Sequence, residues 1–219
     1  TTKEKKKMSG FDVIHGNAVV LEYSKLIAGE DLSNEIALAY GAEGLGILTV
    51  SGIPGLTEAR AALLPLARRF AELSEEVKSK YVHEQSSYSF GWSHGKEKLD
   101  GNFDLSKGSY YGNPQYDRPV DDEELIAKYS PFIHPNIWPT DDLPELETAF
   151  KDLGRLIVAV GTLVAAQCDR YVKKQCDSYP DQRLTRVIEG SLCCKARLLH
   201  YFDCSHDLTH ENGSSESHD

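Results

Sequence analysis

One run of sequence, Pro144–Val172, sets most of the limits on how this chain folds. Leu146, Phe150, Leu153, Ile157, Val160, Val164, Cys168 and Tyr171 recur at steps of three and four, the pattern of a single apolar helical face. Leu156, Leu163 and the Val158/Ala159 pair widen the stripe, so the helix is expected to be buried on more than one side. Asp141 and Asp142 stand ready to cap free amides, and Pro144 suits a first turn, where its missing N–H costs nothing. Gly154 and Gly161 fall on nearly the same side and predict a closely packed neighbour. Such a helix is a core spine. The chemistry must come from elsewhere.

Around that spine the composition excludes several classes. A chain of 219 residues buries enough surface for one large domain or two small ones. Its net charge of −10 argues against nucleic acid as a partner, and the short basic run Lys3, Lys5, Lys6, Lys7 does not reverse that. No apolar run approaches the ~20 residues that span a bilayer, and the start lacks the apolar core of a signal peptide. The five cysteines, Cys168, Cys176, Cys193, Cys194 and Cys204, have no CxxC spacing. They read as reduced thiols of a cytoplasmic protein.

In chain order, residues 1–10 are a polar, basic lead-in, expected to be disordered. Ala18–Leu21 predicts a short strand, and Leu32–Tyr40 a helix capped by Asp31 or Ser33. Gly44–Ser51 reads as a buried strand, ended by Gly52–Gly55 and followed by a helix over Leu56–Leu73 and a shorter one over Ser74–Tyr81. This strand–helix alternation predicts a mixed α/β fold. Val82–Asn136 loses all periodicity, and so long an irregular stretch is either functional or misread as irregular. After the long helix, Arg186–Ile188 and Ala196–Phe202 are strand candidates, and Asp203–Asp219 reads as a solvated loop or frayed end.

The irregular segment contains Phe90-Gly-Trp-Ser-His-Gly-Lys-Glu-Lys-Leu-Asp-Gly-Asn-Phe-Asp-Leu-Ser-Lys-Gly-Ser-Tyr-Tyr111. It resembles the Gly-aromatic … Glu-Lys … Gly … Asp-Leu stretch of the isopenicillin N synthase-like oxygenases, the non-haem Fe(II)/2-oxoglutarate-dependent dioxygenases and their relatives. Four more pieces agree in order. Gly44–Gly52 looks like the family's early Gly-Phe-Phe strand, with Ser51 where a histidine is usual. Asn136-Ile-Trp-Pro…Leu143-Pro144 resembles the lead into its long central helix, which matches in length and position. Arg197-Leu-Leu-His-Tyr-Phe202 resembles a strand near the start of the catalytic barrel.

The resemblance implies the amino-terminal helical and strand region of a double-stranded β-helix (jelly-roll) oxygenase, with only the first barrel strands present. It divides the chain into a lead-in (1–10), the dioxygenase amino-terminal domain (11–135), the long central helix with first barrel strands (136–202) and the terminal loop (203–219). It implies an oxidoreductase using Fe(II), 2-oxoglutarate and dioxygen on a small organic substrate. It also marks Tyr201 and His200 as pocket-facing candidates on the last strand, with Trp92, Tyr110 and Tyr111 framing a substrate entrance.

Iron in this family is held by two histidines and a carboxylate, the first two as His-x-Asp, because residues two apart on a strand point the same way. Of the eight histidines, none is followed two positions later by Asp or Glu within the chain. The chain therefore resembles the front portion of such an oxygenase, with no metal ligands or catalytic residues assigned and no productive cofactor binding expected of it alone. Self-association through an exposed barrel edge is expected as well. The rival enzyme reading is His206-Asp-Leu-Thr-His210, which copies zinc-protease spacing but puts Asp207 where glutamate acts. The rival non-enzyme reading is an interaction domain that keeps the oxygenase scaffold without a site.

Overall fold

The computed structural model describes residues 18–99 and 101–203. His206, His210 and Cys204, like the lead-in, lie outside the described residues. Two compact units emerge, one from the chain up to Ile53 together with Leu163–Leu184, the other from Pro54–Thr162 together with the chain from Thr185 onward.

In the first unit, strand β1 (Val19–Glu22) leads into helix α1 (Tyr23–Ile27), helix α2 (Ser33–Tyr40) and strand β2 (Leu48–Ser51). β1 and β2 pair in parallel, Val19 opposite Leu48, which a hairpin cannot achieve and the intervening helices allow. Asp31 accepts from the Ser33 amide and hydroxyl at 3.1 and 2.6 Å and so opens α2. β2 is half-buried to exposed along its length, where the apolar run predicted a fully buried strand. The reason is its single strand partner among the described residues. The core gathers Leu21, Leu26, Leu32 and Ile36 with Val164, Cys168 and Tyr171 of the long helix. Gln167, 3% exposed, fastens the α1–α2 turn by accepting from the Leu32 amide (3.1 Å) and donating to the Glu30 carbonyl (2.9 Å).

The second unit begins with helices α3 (Leu56–Ala71) and α4 (Glu75–Ser79). α3 buries Leu63, Leu66, Ala67 and Phe70, a stripe at steps of three, one and three. Ser74 caps α4 by accepting from the Val77 amide. The segment that shows no periodicity is ordered. It holds a 3-10 turn (Glu84–Ser86), strand β3 (Gly91–His94), the hairpin β4 (Lys98–Leu99) and β5 (Asn102–Phe103), strand β6 (Lys107–Gly112), and helices α5 (Glu123–Lys128) and α6 (Ser130–Ile133). β6 is central in an antiparallel sheet between β3 and β7 (Ala196–Tyr201).

The missing alternation has a physical cause. The core-facing positions of β6 include Gly108 and Gly112, not large apolar residues. A Cβ on Gly108 would stand 2.1 Å from the Trp92 ring, and one on Gly112 3.0 Å from Trp138. Aromatic rings from other elements fill the space that β6 leaves.

Helix α7 (Glu145–Gln175) is the long spine. Leu146, Phe150, Leu153 and Val160 are buried as its periodicity predicts, whereas Ile157 is 58% exposed. Gly154 meets Pro114, but a Cβ on Gly161 would meet nothing within 4 Å, so only the first glycine serves close packing. Asp142 accepts from the Tyr81 hydroxyl at 2.5 Å, and it is the Glu145 carboxylate that takes its own backbone amide at the start of the helix. Arg186–Ile188, a strand candidate by composition, is helical within α8 (Arg183–Glu189). A trio this short carries too little β preference to oppose its surroundings. No helix among the described residues is long and apolar enough to cross a membrane.

Candidate functional site

Strand register sorts the β3–β6–β7 sheet into two chemically different faces. Trp92, Tyr110 and Leu198 stand directly opposite one another and enter the core beside Phe70. The neighbouring row Ser93, Ser109 and Leu199 lies on the other face, because side chains alternate along a strand.

Trp92 is 4% and Tyr110 1% exposed, so both lie mainly in the core, Trp92 also lining a surface groove. Burial holds the Tyr110 phenol protonated, pushing it far above its ordinary value with Tyr81 adding to the effect. Its hydroxyl donates to the Ile137 carbonyl. Both aromatics belong to the core.

The other face is polar. Arg197 donates from Nε and Nη2 to Ser109 Oγ (3.0 and 2.8 Å) and from Nη2 to Glu97 Oε1 (2.9 Å). Tyr111 donates to the same Glu97 oxygen at 3.2 Å, with the Arg197 guanidinium 5.1 Å above its ring. Lys107 bridges Glu97 Oε2 (3.1 Å) and Asp104 Oδ2 (2.6 Å). Burial pushes Glu97 up, but Lys107, Arg197 and Tyr111 outweigh it and leave the carboxyl below its usual value. These groups, with Ser93, Gly95 and Lys96, enclose a space of ≈ 10 Å³, about what one water needs. Arg197 and Lys107 are paired with Glu97 and Asp104, and Lys96 leaves the lining one positive charge in excess.

Tyr201 and His200 part company on this sheet. Tyr201 lies opposite Lys107, on the polar face, and is 66% exposed. His200 lies opposite Gly108, on the Trp92 side, its ring 4.8 Å from Phe202. They cannot share one pocket wall on a single face. The Arg197–Ser109–Glu97–Lys107 network had no local signature in the sequence, since its members are as much as 100 residues apart. Among the described residues no three His, Cys, Asp or Glu side chains gather as metal ligands. The described part of the chain therefore does not fit an iron set.

Residues 20–141 match the family model described as non-haem dioxygenase in morphine synthesis N-terminal. The chain belongs to this family. The match runs from β1 through α6 of the fold, ends just before α7, and includes the Gly91–Gly112 strands. A 2OG-Fe(II) oxygenase family protein from Caulobacter crescentus has a similar structure, with TM-score 0.62 and 19% identity over 84% of this chain and 56% of that one. A full-length Neurospora crassa protein in complex with alpha-KG is similar at TM-score 0.52 and 18% identity, over 83% of this chain and 53% of its own. At these identities the likeness is one of fold. The chain thus spans about half the length of these relatives. No curated protein matches its sequence.

Asp104 offers a test of the polar network. Hydrogen bonds from Lys107 and Ser106 lower its carboxyl from 3.8 to about 2. A carboxylate depressed in the folded state adds stability above its unfolded value and loses it as pH falls through the folded one. Thermal stability should therefore fall between pH 3.8 and about 2, and the fall should be shallower in Asp104→Asn. Equal acid slopes in both proteins would show that the network adds nothing.

Proposed function

We propose that this chain is the amino-terminal portion of a 2-oxoglutarate- and Fe(II)-dependent oxygenase acting on a small organic substrate. The family match over residues 20–141 carries the reading, and the likeness of fold to a 2OG-Fe(II) oxygenase family protein and to a protein solved with alpha-KG supports it. In the complete protein the β3–β6–β7 sheet begins the catalytic barrel, and its polar face borders the pocket. Tyr201, projecting from that face beside Arg197 and Leu199, is turned toward small molecules, while His200 supports the sheet from behind. Iron, 2-oxoglutarate and dioxygen, when bound, would supply the oxidising chemistry: dioxygen is the oxidant, and it takes two electrons from 2-oxoglutarate, which leaves as succinate and carbon dioxide, and two from the substrate. This chain's own residues supply the wall and its hydrogen-bonding groups.

A second reading, an interaction domain without catalysis, draws on one observation. Arg197 and Lys107 are already matched by Glu97 and Asp104, so neither guanidinium nor ammonium is free to grip a dicarboxylate. The reading frame after the Asp219 codon separates the two. The oxygenase reading expects His-x-Asp soon after that codon, then a further histidine and an arginine. A stop codon there would favour the interaction domain.

A further inference from the structure

Two histidines that the sheet does not use lie ring against ring in the second unit. The His83 and His134 centroids are 3.9 Å apart with a 33° tilt. His83 Nδ1 accepts the Ser86 amide at 3.2 Å, which fixes the neutral tautomer with its proton on Nε2. Ser86 is completely buried, so water cannot replace that acceptor. His134 Nδ1 faces the Pro135 carbonyl at 2.7 Å, and a carbonyl only accepts. His134 therefore keeps this bond in either charge state, whereas His83 loses its bond on protonation. His83 is the member that switches.

The turn His83 holds is conformationally costly. Ser87 and Tyr88 have φ of 51° and 58°, left-handed values that non-glycine residues adopt only when their surroundings require it. The bonds Ser87 N–H to Glu84 O (2.7 Å), Tyr88 N–H to His83 O (3.2 Å) and Ser89 N–H to Ser86 O (3.1 Å) close it. Its residues Glu84, Gln85 and Tyr88 help line a groove of ≈ 550 Å³ together with Trp92 and His94 of β3.

We propose that the His83–His134 stack is an acid-released clasp, closing the 83–89 turn when both imidazoles are neutral and opening that turn, and its part of the groove lining with it, when His83 takes up a proton. Like charge across the stack adds repulsion to the lost acceptor. The charged and titratable groups nearby are Glu84 and Tyr88 on the turn, hydrogen-bonded to each other, Lys96 over the Tyr88 ring, and Lys195 over Phe90, which itself packs on His134. Burial, then His134, lowers the His83 proton affinity from its ordinary 6.5. A histidine depressed in the folded state stabilises the closed turn above that value and ceases to do so as pH falls through the folded one.

Backbone amide hydrogen exchange on the 219-residue chain tests this. After correction for intrinsic rates, the amides of 86–89 should lose about ten-fold protection between roughly pH 7.5 and pH 5, while α3 amides hold theirs. In His83→Asn an uncharged amide oxygen can accept the same Ser86 N–H, so protection should stay within about two-fold. In His134→Gln, which removes the like charge that lowers the His83 proton affinity, the loss of protection on acidification should be smaller than in the parent. PH-independent protection in the parent chain, or acid opening in His83→Asn equal to the parent's, would overturn the clasp. If His83→Asn loses α3 protection through misfolding, His134→Gln decides alone, and an acid loss as large as the parent's overturns it.

Discussion

Phe70→Ala is expected to lower the unfolding free energy by about 3–5 kcal/mol, read as a shift of the denaturant midpoint at constant slope. Phe70 is 1% exposed, and its ring meets Tyr81 at 5.7 Å, Trp92 at 5.1 Å and Tyr110 at 4.8 Å. It joins α3 to the sheet, so its loss leaves a cavity between two elements that cannot both move inward. The lost transfer energy and the cavity add. A change below about 1 kcal/mol would mean that the helix can settle onto the sheet without it.

Gly91→Ala should cost about 2–4 kcal/mol, for a different reason. Gly91 has φ +70°, and a Cβ there would stand 2.1 Å from the Tyr81 carbonyl oxygen. That oxygen accepts the Trp92 amide at 2.8 Å, so it cannot retreat without breaking the bond that ties the start of β3 to the end of the α4 segment. The methyl group therefore meets both a disfavoured dihedral and a fixed backbone atom. Gly101, with φ +87° and nothing near its virtual Cβ, is the control. Gly101→Ala should pay the dihedral cost alone and lose about 1 kcal/mol. Equal losses at the two glycines would show that the Tyr81 contact is soft.

Part of this fold was open to reading from the sequence because the relevant signal is local. The periodicity of α7, the role of Asp31 at the start of α2 and the β1–α–β2 order follow from short-range pattern. The sheet did not show itself, since Gly108 and Gly112 occupy strand positions that apolar residues usually mark, and their partners Trp92, Trp138 and Phe150 come from other elements. Ile157 keeps the heptad-like spacing of α7 but faces outward, because periodicity identifies a face without saying how far along the helix it is covered. At the candidate site, the resemblance singled out Tyr201 and His200, whose placement on opposite faces depends on register with β6. The Arg197–Glu97 pair escaped entirely. A charged residue alternating with Leu198 on a strand flanked by apolar residues was the one available hint that β7 has a polar side.

Iron-dependent turnover tests the oxygenase reading most directly. With ferrous iron, ascorbate, dioxygen and 2-oxoglutarate, the full reading-frame product should form succinate, at least uncoupled from substrate oxidation. The 219-residue chain should form none above a protein-free blank, since its described residues gather no three ligands and no histidine precedes Asp or Glu at the required spacing. Succinate formation by the 219-residue chain alone, abolished by chelator, would contradict that expectation and place an iron site where none is assigned.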